Sequence, residues 1–317
     1  MKILEAFGNR IKKDEPLKNH TTYRIGGPAD LYLEVKSAAE AAKAVKCAKE
    51  DGLNIFVLGG GSNILVSDAG FRGLVLVYGG REIKIEGSRL IADAGAITFL
   101  AVKMSTEAGL AGFEWASGIP GTIGGAIRGN AAAYGGETKN SIETVEAVNL
   151  KTGEMQTFDR SSCRFGYRDS IFKHEPWFIT RAAFALASGD RDALAAKAAE
   201  LVSIRRGKLP LEYGSAGSVF KNFIFNDLSE LSEKLQNALP PEYVESRRIP
   251  AGFFTNVLGL KGKNIGDAVI STQHGNFFVN AGTAKASEVR ELIDYAKMKV
   301  KEEFGVTLEE EIQYVGF

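Results

Sequence analysis

Ala116-Ser-Gly-Ile-Pro-Gly-Thr-Ile-Gly-Gly-Ala-Ile-Arg-Gly-Asn-Ala-Ala-Ala-Tyr-Gly-Gly136 is the stretch on which the reading of this chain turns. Seven of its 21 residues are glycine, and most of the others are small. It is too apolar for a flexible linker, which would be rich in Ser and charge. Glycine at this density brings backbone close to something else, with several positions free to take positive φ. Exposed N–H groups in such a loop can nest anionic oxygens. Composition leaves two readings open: a wall for a large phosphorylated cofactor, or a tight packing segment.

A second run, Val57-Leu-Gly-Gly-Gly-Ser-Asn-Ile-Leu-Val66, bears on the choice. The chain before it reads as strand 31–35, helix from about 38 to 49, and strand 55–58. Ser37 and Glu40 are placed for a capping box, with Glu40 reaching back to the Ser37 amide. The glycines 59–61 follow the second strand and lead into another apolar run, 64–66. A dinucleotide fingerprint of the Rossmann type would have them open a helix, so that fold is excluded. In isolation this run would read as a glycine hairpin.

The rest of the pattern is mixed α and β. Hairpins are expected at 83–86 with the strand after Gly87-Ser88, and at 145–150 with 155–158. Helices are expected at 98–108, at 190–206 with Leu194, Ala198, Leu201 and Val202 on one face, and at 287–304 with Gly305 as the C′ residue. Leu228, Leu231, Leu235 and Leu239 mark a further amphipathic helix stopped by Pro240-Pro241. Strands are expected at 177–186, 268–271, 277–280 and 311–315. A composition shift at Gly207-Lys208-Leu209-Pro210 marks the main boundary.

The 317 residues suffice for two or three domains. With 39 basic and 39 acidic side chains, the zero net charge argues against nucleic acid or an anionic membrane as partner. No apolar run approaches the ~18 residues of a membrane span, and the N-terminus lacks the apolar core of a signal peptide. Cys47 and Cys163 are expected as reduced thiols of a cytoplasmic protein. His20, His174 and His274 are scattered, with no spacing that suggests a metal site. No obligate protein partner is evident.

Several motifs occur in order along the chain: Asn19-His-Thr-Thr-Tyr-Arg-Ile-Gly-Gly27, the 58–66 run, Gly118-Ile-Pro-Gly-Thr-Ile-Gly-Gly-Ala126, Phe165-Gly-Tyr-Arg-Asp-Ser170, Gly217-Ser-Val-Phe-Lys-Asn222, Gly259-Leu-Lys-Gly262 and His274-Gly-Asn-Phe-Phe-Val-Asn280. Together they resemble the UDP-N-acetylenolpyruvoylglucosamine reductase (MurB) family over essentially the whole chain. The resemblance implies an α+β fold: a two-lobed FAD-binding domain of the vanillyl-alcohol-oxidase type and a C-terminal α+β substrate domain. The expected bounds are 1–80 and 81–206 for the lobes and 207–317 for the substrate domain, with an insertion at about 224–250. It implies non-covalent FAD, NADPH as reductant, and reduction of UDP-N-acetylglucosamine enolpyruvate to UDP-N-acetylmuramate in peptidoglycan synthesis. One subclass carries a tyrosine-bearing loop between the Tyr-Arg-Asp-Ser and Gly-Ser-x-Phe-Lys motifs. Here 177–210 leaves no room for it, and Arg206-Gly-Lys-Leu-Pro-Leu-Glu212 resembles the shorter subclass. Phe223 stands where the family pattern has proline.

By the same resemblance, the cofactor would lie against Gly59, Gly60, Gly61, Ser62, Asn63, Gly118, Gly121, Gly124 and Gly125. Ser218, Glu311 and Arg168 would be catalytic, Arg168 and Glu311 polarising the substrate carboxylate and Ser218 giving a proton. Tyr167, Lys208 and Asn222 would bind substrate, the last two at the diphosphate. Residue type alone leaves other readings open. Arg168 could pair with Asp169, Ser218 could be a turn residue, and Glu309-Glu310-Glu311 could be a solvated acidic turn. Alternation along a strand does not single out Glu311; the Leu-x-x-Glu pattern from Leu308 does. Lys221 would favour a developing alkoxide on Ser218. Two other classes fit less of the pattern: an alcohol or sugar oxidase on the same flavin fold, and a non-catalytic nucleotide-binding relative.

Overall fold

A computed structural model describes residues 1–317. The chain forms two compact units. The first comprises 1–15, 28–61 and 71–207, and the second comprises 16–27, 62–70 and 208–317.

The first unit holds two main sheets. In one, strands run in the order Lys12–Pro16, Pro28–Val35, Phe71–Tyr78 and Ile55–Leu58, and both Pro28–Val35 and Ile55–Leu58 pair in parallel with Phe71–Tyr78. Leu74, Val75 and Leu76 are buried on both faces, as a continuous apolar run in a parallel sheet should be. Helix Ala38–Glu50 turns Ala41, Ala44, Val45 and Ala48 inward, at the spacing of one helical face. Its N-cap is as expected at Ser37, whose hydroxyl accepts the Glu40 N–H. The return half of the box differs. Glu40 accepts the Lys36 N–H instead of that of Ser37, and the Arg10 guanidinium takes both of its oxygens at 2.8 Å.

The second sheet is antiparallel, in the order Met155–Asp159, Ile142–Asn149, Trp177–Ala185, Arg89–Asp93 and Ile83–Glu86. Both expected hairpins are in it. Thr98–Glu107 and Ile123–Arg128 are helical, and Arg191–Lys208 follows the 177–185 strand after one short strand, Ala187–Ser188. Strands Ile55–Leu58 and Ile64–Val66 belong to different sheets, so the 59–61 glycines join two sheets and do not close a hairpin.

The second unit is built on an antiparallel sheet, Gly214–Ser218, Phe277–Asn280, Ala268–Ile270 and Asn264–Ile265. Helix Ala286–Phe304 packs on it through Val289, Leu292, Ile293, Ala296 and Val300, and ends at Gly305 with φ 75°. The 16–27 segment is sewn to this sheet. Buried Tyr23 donates its hydroxyl to the Phe278 carbonyl at 2.7 Å, and the Ser215 N–H donates to Thr22. Strand Ile64–Val66 pairs in parallel with Gln313–Val315.

The expected leucine helix is broken into three pieces. Leu228–Glu230 is a 3₁₀ turn, Glu233–Ala238 a short helix and Pro241–Ser246 another. Ser232 interrupts the run because its hydroxyl caps the Leu235 N–H and starts a new helix there. Pro241 opens the third piece, where a missing N–H costs nothing. Leu231 and Leu235 are nonetheless buried in the unit's core, and Ser232 donates to the Phe304 carbonyl at 3.1 Å. The insertion is closed by the antiparallel pair Phe223–Ile224 with Arg248–Ile249. Phe223 brings to this pair a backbone N–H that proline would not have.

Candidate active site

In the first unit the two glycine runs touch. A Cβ placed on Gly60 would lie 2.6 Å from the Gly121 Cα, and one on Gly124 would lie 3.0 Å from the Ala94 Cβ. One on Gly59 would meet the Thr122 Oγ1 at 3.0 Å. Thr122 caps helix Ile123–Arg128 by accepting the Gly125 N–H, while the Ile123 and Gly124 N–H groups donate to Ala96 and Ala94. Gly118 is wedged against Arg205, whose Nε donates to the Gly118 carbonyl at 3.2 Å. Burial pushes the Arg205 pKa down. Gly61 and Gly121 have φ of 61° and 115°.

Gly125 differs from its neighbours. It is exposed, and a Cβ there would meet only the Thr122 Oγ1, at 3.6 Å. Nothing in the protein requires glycine at 125, so the space it leaves suits a ligand lying on the wall. In the segment that leads into this run, the Trp115 Nε1 and the Ser117 Oγ are buried without a protein hydrogen-bond partner. Both features fit a large, polar-edged cofactor such as FAD.

Arg168 stands at the tip of a tight turn in the same unit. Gly166 and Asp169 exchange backbone hydrogen bonds at 3.0 and 3.3 Å, leaving Tyr167 and Arg168 as the central pair. Arg168 has φ 55°, a conformation that a non-glycine residue adopts at a cost of order 1–3 kcal/mol. Buried Asn130 donates to the Gly166 carbonyl at 2.8 Å, and Lys173 to that of Arg168, so the turn is held from outside. The Arg168 Nη1 donates to the Ala132 carbonyl at 3.0 Å, and its guanidinium lies 5.8 Å from the centre of the Tyr167 ring. Asp169, the next residue, is engaged by His174 at 2.8 Å.

In the second unit Ser218 follows a β-bulge. Ser215 faces Val279 and Ser218 faces Phe277, so the 214–218 strand carries one residue more than its partner. Gly217, at φ 77°, supplies the turn. Bulges re-aim the next side chain and gather near active sites. The carbonyl of Val219 accepts the Glu311 N–H at 2.7 Å, and the Asn63 side-chain amide donates to the Glu311 carbonyl at 3.0 Å. Ser218, Glu311 and Asn63 are thereby joined within one unit. The last strand begins later than expected, at Gln313, because the chain changes partners: Glu310 bridges Phe220, and Gln313 pairs with Ile64. Glu311 lies in that change of partner, where alternation along a strand does not apply.

Lys221 differs from expectation. Its ammonium pairs with Glu309 at 2.9 Å, so its charge serves the acidic run. Asn222 accepts the Ala251 N–H at 3.3 Å, at the start of helix Ala251–Val257. Lys208 is exposed at the end of helix Arg191–Lys208, and Ser62 is half-buried just before strand Ile64–Val66. The bond from Asn63 to Glu311 and the orphaned Ser117 hydroxyl had no signal in the sequence beyond their place in glycine-rich motifs.

Two family models match. Residues 29–159 match an FAD binding domain, and residues 209–315 match the UDP-N-acetylenolpyruvoylglucosamine reductase C-terminal domain. The enzyme of that name from Solibacter usitatus is 38% identical over 96% of this chain and 97% of its own length. The one from Caldicellulosiruptor bescii is 39% identical over 99% and 93%. The crystal structure of UDP-N-acetylenolpyruvylglucosamine reductase (MurB) from Thermus caldophilus superposes with a TM-score of 0.76, at 32% identity, covering 96% of this chain and 99% of that one. No helix here is long and apolar enough to cross a membrane. On identity held over nearly the full length of both partners, the chain belongs to the UDP-N-acetylenolpyruvoylglucosamine reductase family.

Proposed function

We propose that this FAD-dependent oxidoreductase uses NADPH to reduce UDP-N-acetylglucosamine enolpyruvate to UDP-N-acetylmuramate, in the cytoplasmic stage of cell-wall synthesis on which cell shape and division depend. The observation that carries the reading is the bulged serine joined through one carbonyl to Glu311, in a chain that also holds an FAD binding domain. FAD, when bound, relays hydride from NADPH to the enolpyruvyl alkene. Gly59, Gly60, Gly61, Gly118, Gly121, Gly124 and Gly125, with Ser62 and Asn63, are the residues assigned to hold it.

Hydride addition to one alkene carbon leaves negative charge that spreads into the adjoining carboxylate. That charge needs donors fixed in advance. Arg168 suits the task because a planar fork matches a carboxylate, and its strained, externally braced turn holds it ready. Glu311 is assigned to the same carboxylate. The second carbon then takes a proton from the Ser218 hydroxyl, and solvent restores that proton. Serine is a weak acid, but an enolate is a strong enough base to use it. Tyr167, Lys208 and Asn222 are assigned to the UDP-sugar, Lys208 and Asn222 to its diphosphate.

The test is anaerobic turnover of the purified protein with NADPH and UDP-N-acetylglucosamine enolpyruvate in D₂O. The product should be the reduced sugar, carrying solvent deuterium at the carbon that is protonated. NADPH consumption with no reduced sugar formed would overturn the reading.

A further inference from the structure

Asn276 lies just before strand Phe277–Asn280 and is only 4% exposed. Its side chain accepts the Phe220 N–H at 3.0 Å and donates to the Phe220 carbonyl at 2.9 Å. Its own carbonyl accepts the Val219 N–H at 2.9 Å. The regular ladder between the two strands ends at the Ser218–Phe277 pair, and it is the Phe220 N–H and carbonyl that the Asn276 side chain supplies with partners. A carboxamide reproduces the donor and acceptor of one peptide unit, and here it continues the ladder one residue past the strand. The pairing also fixes the amide orientation, since the flipped form would set donor against donor.

Val219 and Phe220 are the two residues after Ser218, and the Val219 carbonyl receives the Glu311 N–H. One buried side chain therefore grips the peptide that connects the assigned acid to the assigned carboxylate. We propose that Asn276 is a positioning residue for the reduction of the UDP-sugar, fixing Ser218 and Glu311 relative to each other without touching substrate. The proposal rests on the reading of Ser218 and Glu311 given above. It places no demand on the half-reaction with NADPH, which needs neither residue.

Asn276→Asp is nearly isosteric. It keeps the acceptor for the Phe220 N–H and removes the donor to the Phe220 carbonyl. In anaerobic stopped-flow with the FAD-loaded protein, the variant should bleach with NADPH at the wild-type rate. Its reoxidation by UDP-N-acetylglucosamine enolpyruvate should slow by about 10²-fold, the scale expected when a reacting group moves by about an ångström. The dissociation constant of the sugar should be little changed. In a Ser218→Ala background the same substitution should add much less than it costs alone, because residues acting as a unit are not additive. Wild-type reoxidation by Asn276→Asp, equal slowing of both half-reactions, or full additivity with Ser218→Ala would overturn the proposal. If Asn276→Asp does not fold, Asn276→Ser is measured against the same outcomes. If instead Ser218→Ala itself reoxidises at the wild-type rate, the assignment of Ser218 falls. Slow reoxidation by Ser218→Ala with normal reoxidation by Asn276→Asp removes only the role of Asn276.

Discussion

At Gly60 one added carbon would lie 2.6 Å from the backbone of Gly121, and at Gly125 the same carbon would meet little but the Thr122 hydroxyl. Around Ser218 the materials are different: a bulge, two asparagine side chains and a carbonyl shared with Glu311. The first unit makes its surface by leaving side chains out. The second makes its surface by using hydrogen-bonded side-chain amides to fix the backbone that carries its side chains. A binding wall needs close approach, which glycine provides. A proton donor needs a fixed direction, which hydrogen-bonded backbone provides. The comparison predicts that substitutions in the two glycine runs act on cofactor binding, and those near Ser218 act on the sugar half-reaction.

The largest expected effect is that of Ser218→Ala, which keeps the bulge and removes only the hydroxyl. Reduction by NADPH should be unchanged. Reoxidation by the UDP-sugar should fall toward the upper part of the ~10²–10⁴-fold range for a lost general acid. Glu311→Gln should stall at the same stage but less sharply, since an amide still donates a hydrogen bond. Stopped-flow reoxidation at the wild-type rate in Ser218→Ala would make the bulge a turn and break the comparison.

The next effect is on stability. Leu235 is fully buried in the second unit, so Leu235→Ala should cost about 2–5 kcal/mol in urea unfolding, with NADPH reduction of the folded enzyme intact. A loss under about 1 kcal/mol would mean that the insertion only rests on the core.

Gly125→Ala sharpens the contrast in the first unit. Position 125 lies within helix Ile123–Arg128, where alanine is favoured over glycine by about 1 kcal/mol. The FAD-free protein should therefore melt slightly higher, while fluorescence titration shows weaker FAD binding. Unchanged FAD affinity would remove Gly125 from the wall. Gly60→Ala should lower both stability and FAD occupancy, because there the neighbour is backbone.

The smallest expected effect is electrostatic. The Arg10 guanidinium, with the Lys36 N–H, holds the Glu40 carboxyl down at about 2. A carboxyl lowered on folding stabilises above its unfolded value, and that contribution is lost as pH falls toward 2. The pair is partly exposed, so the contribution at neutral pH should be under about 1 kcal/mol. Wild type and Glu40→Gln should converge in stability as pH drops from about 4.5 toward 2. A constant gap across that range would assign the effect to helix packing.

What the sequence made legible follows from range. Helix Ala286–Phe304 and its Gly305 stop could be read from spacing, because helix signals lie within a few residues. The close approach of the two glycine runs could be read from composition, because it admits few other residues. The union of 16–27 and 62–70 with the C-terminal part could not. It depends on pairs such as Tyr23 with Phe278, 255 residues apart, which leave no local pattern. The leucine helix failed for a local reason: the Ser232 hydroxyl competes for a backbone N–H, and a hydrophobic stripe does not record that. The motif resemblance named Ser218 and Glu311, but only the coordinates supply the Val219 carbonyl that joins them. Asn276 lies inside a quoted motif, yet nothing in its spacing shows which backbone it holds.

The most direct measurement is the flavin absorption of the purified protein under anaerobic conditions, first with NADPH and then with UDP-N-acetylglucosamine enolpyruvate. The account predicts a flavin spectrum that is lost from the protein on denaturation, that bleaches with NADPH and that returns when the UDP-sugar is added. A spectrum that bleaches and does not return with the sugar would contradict it.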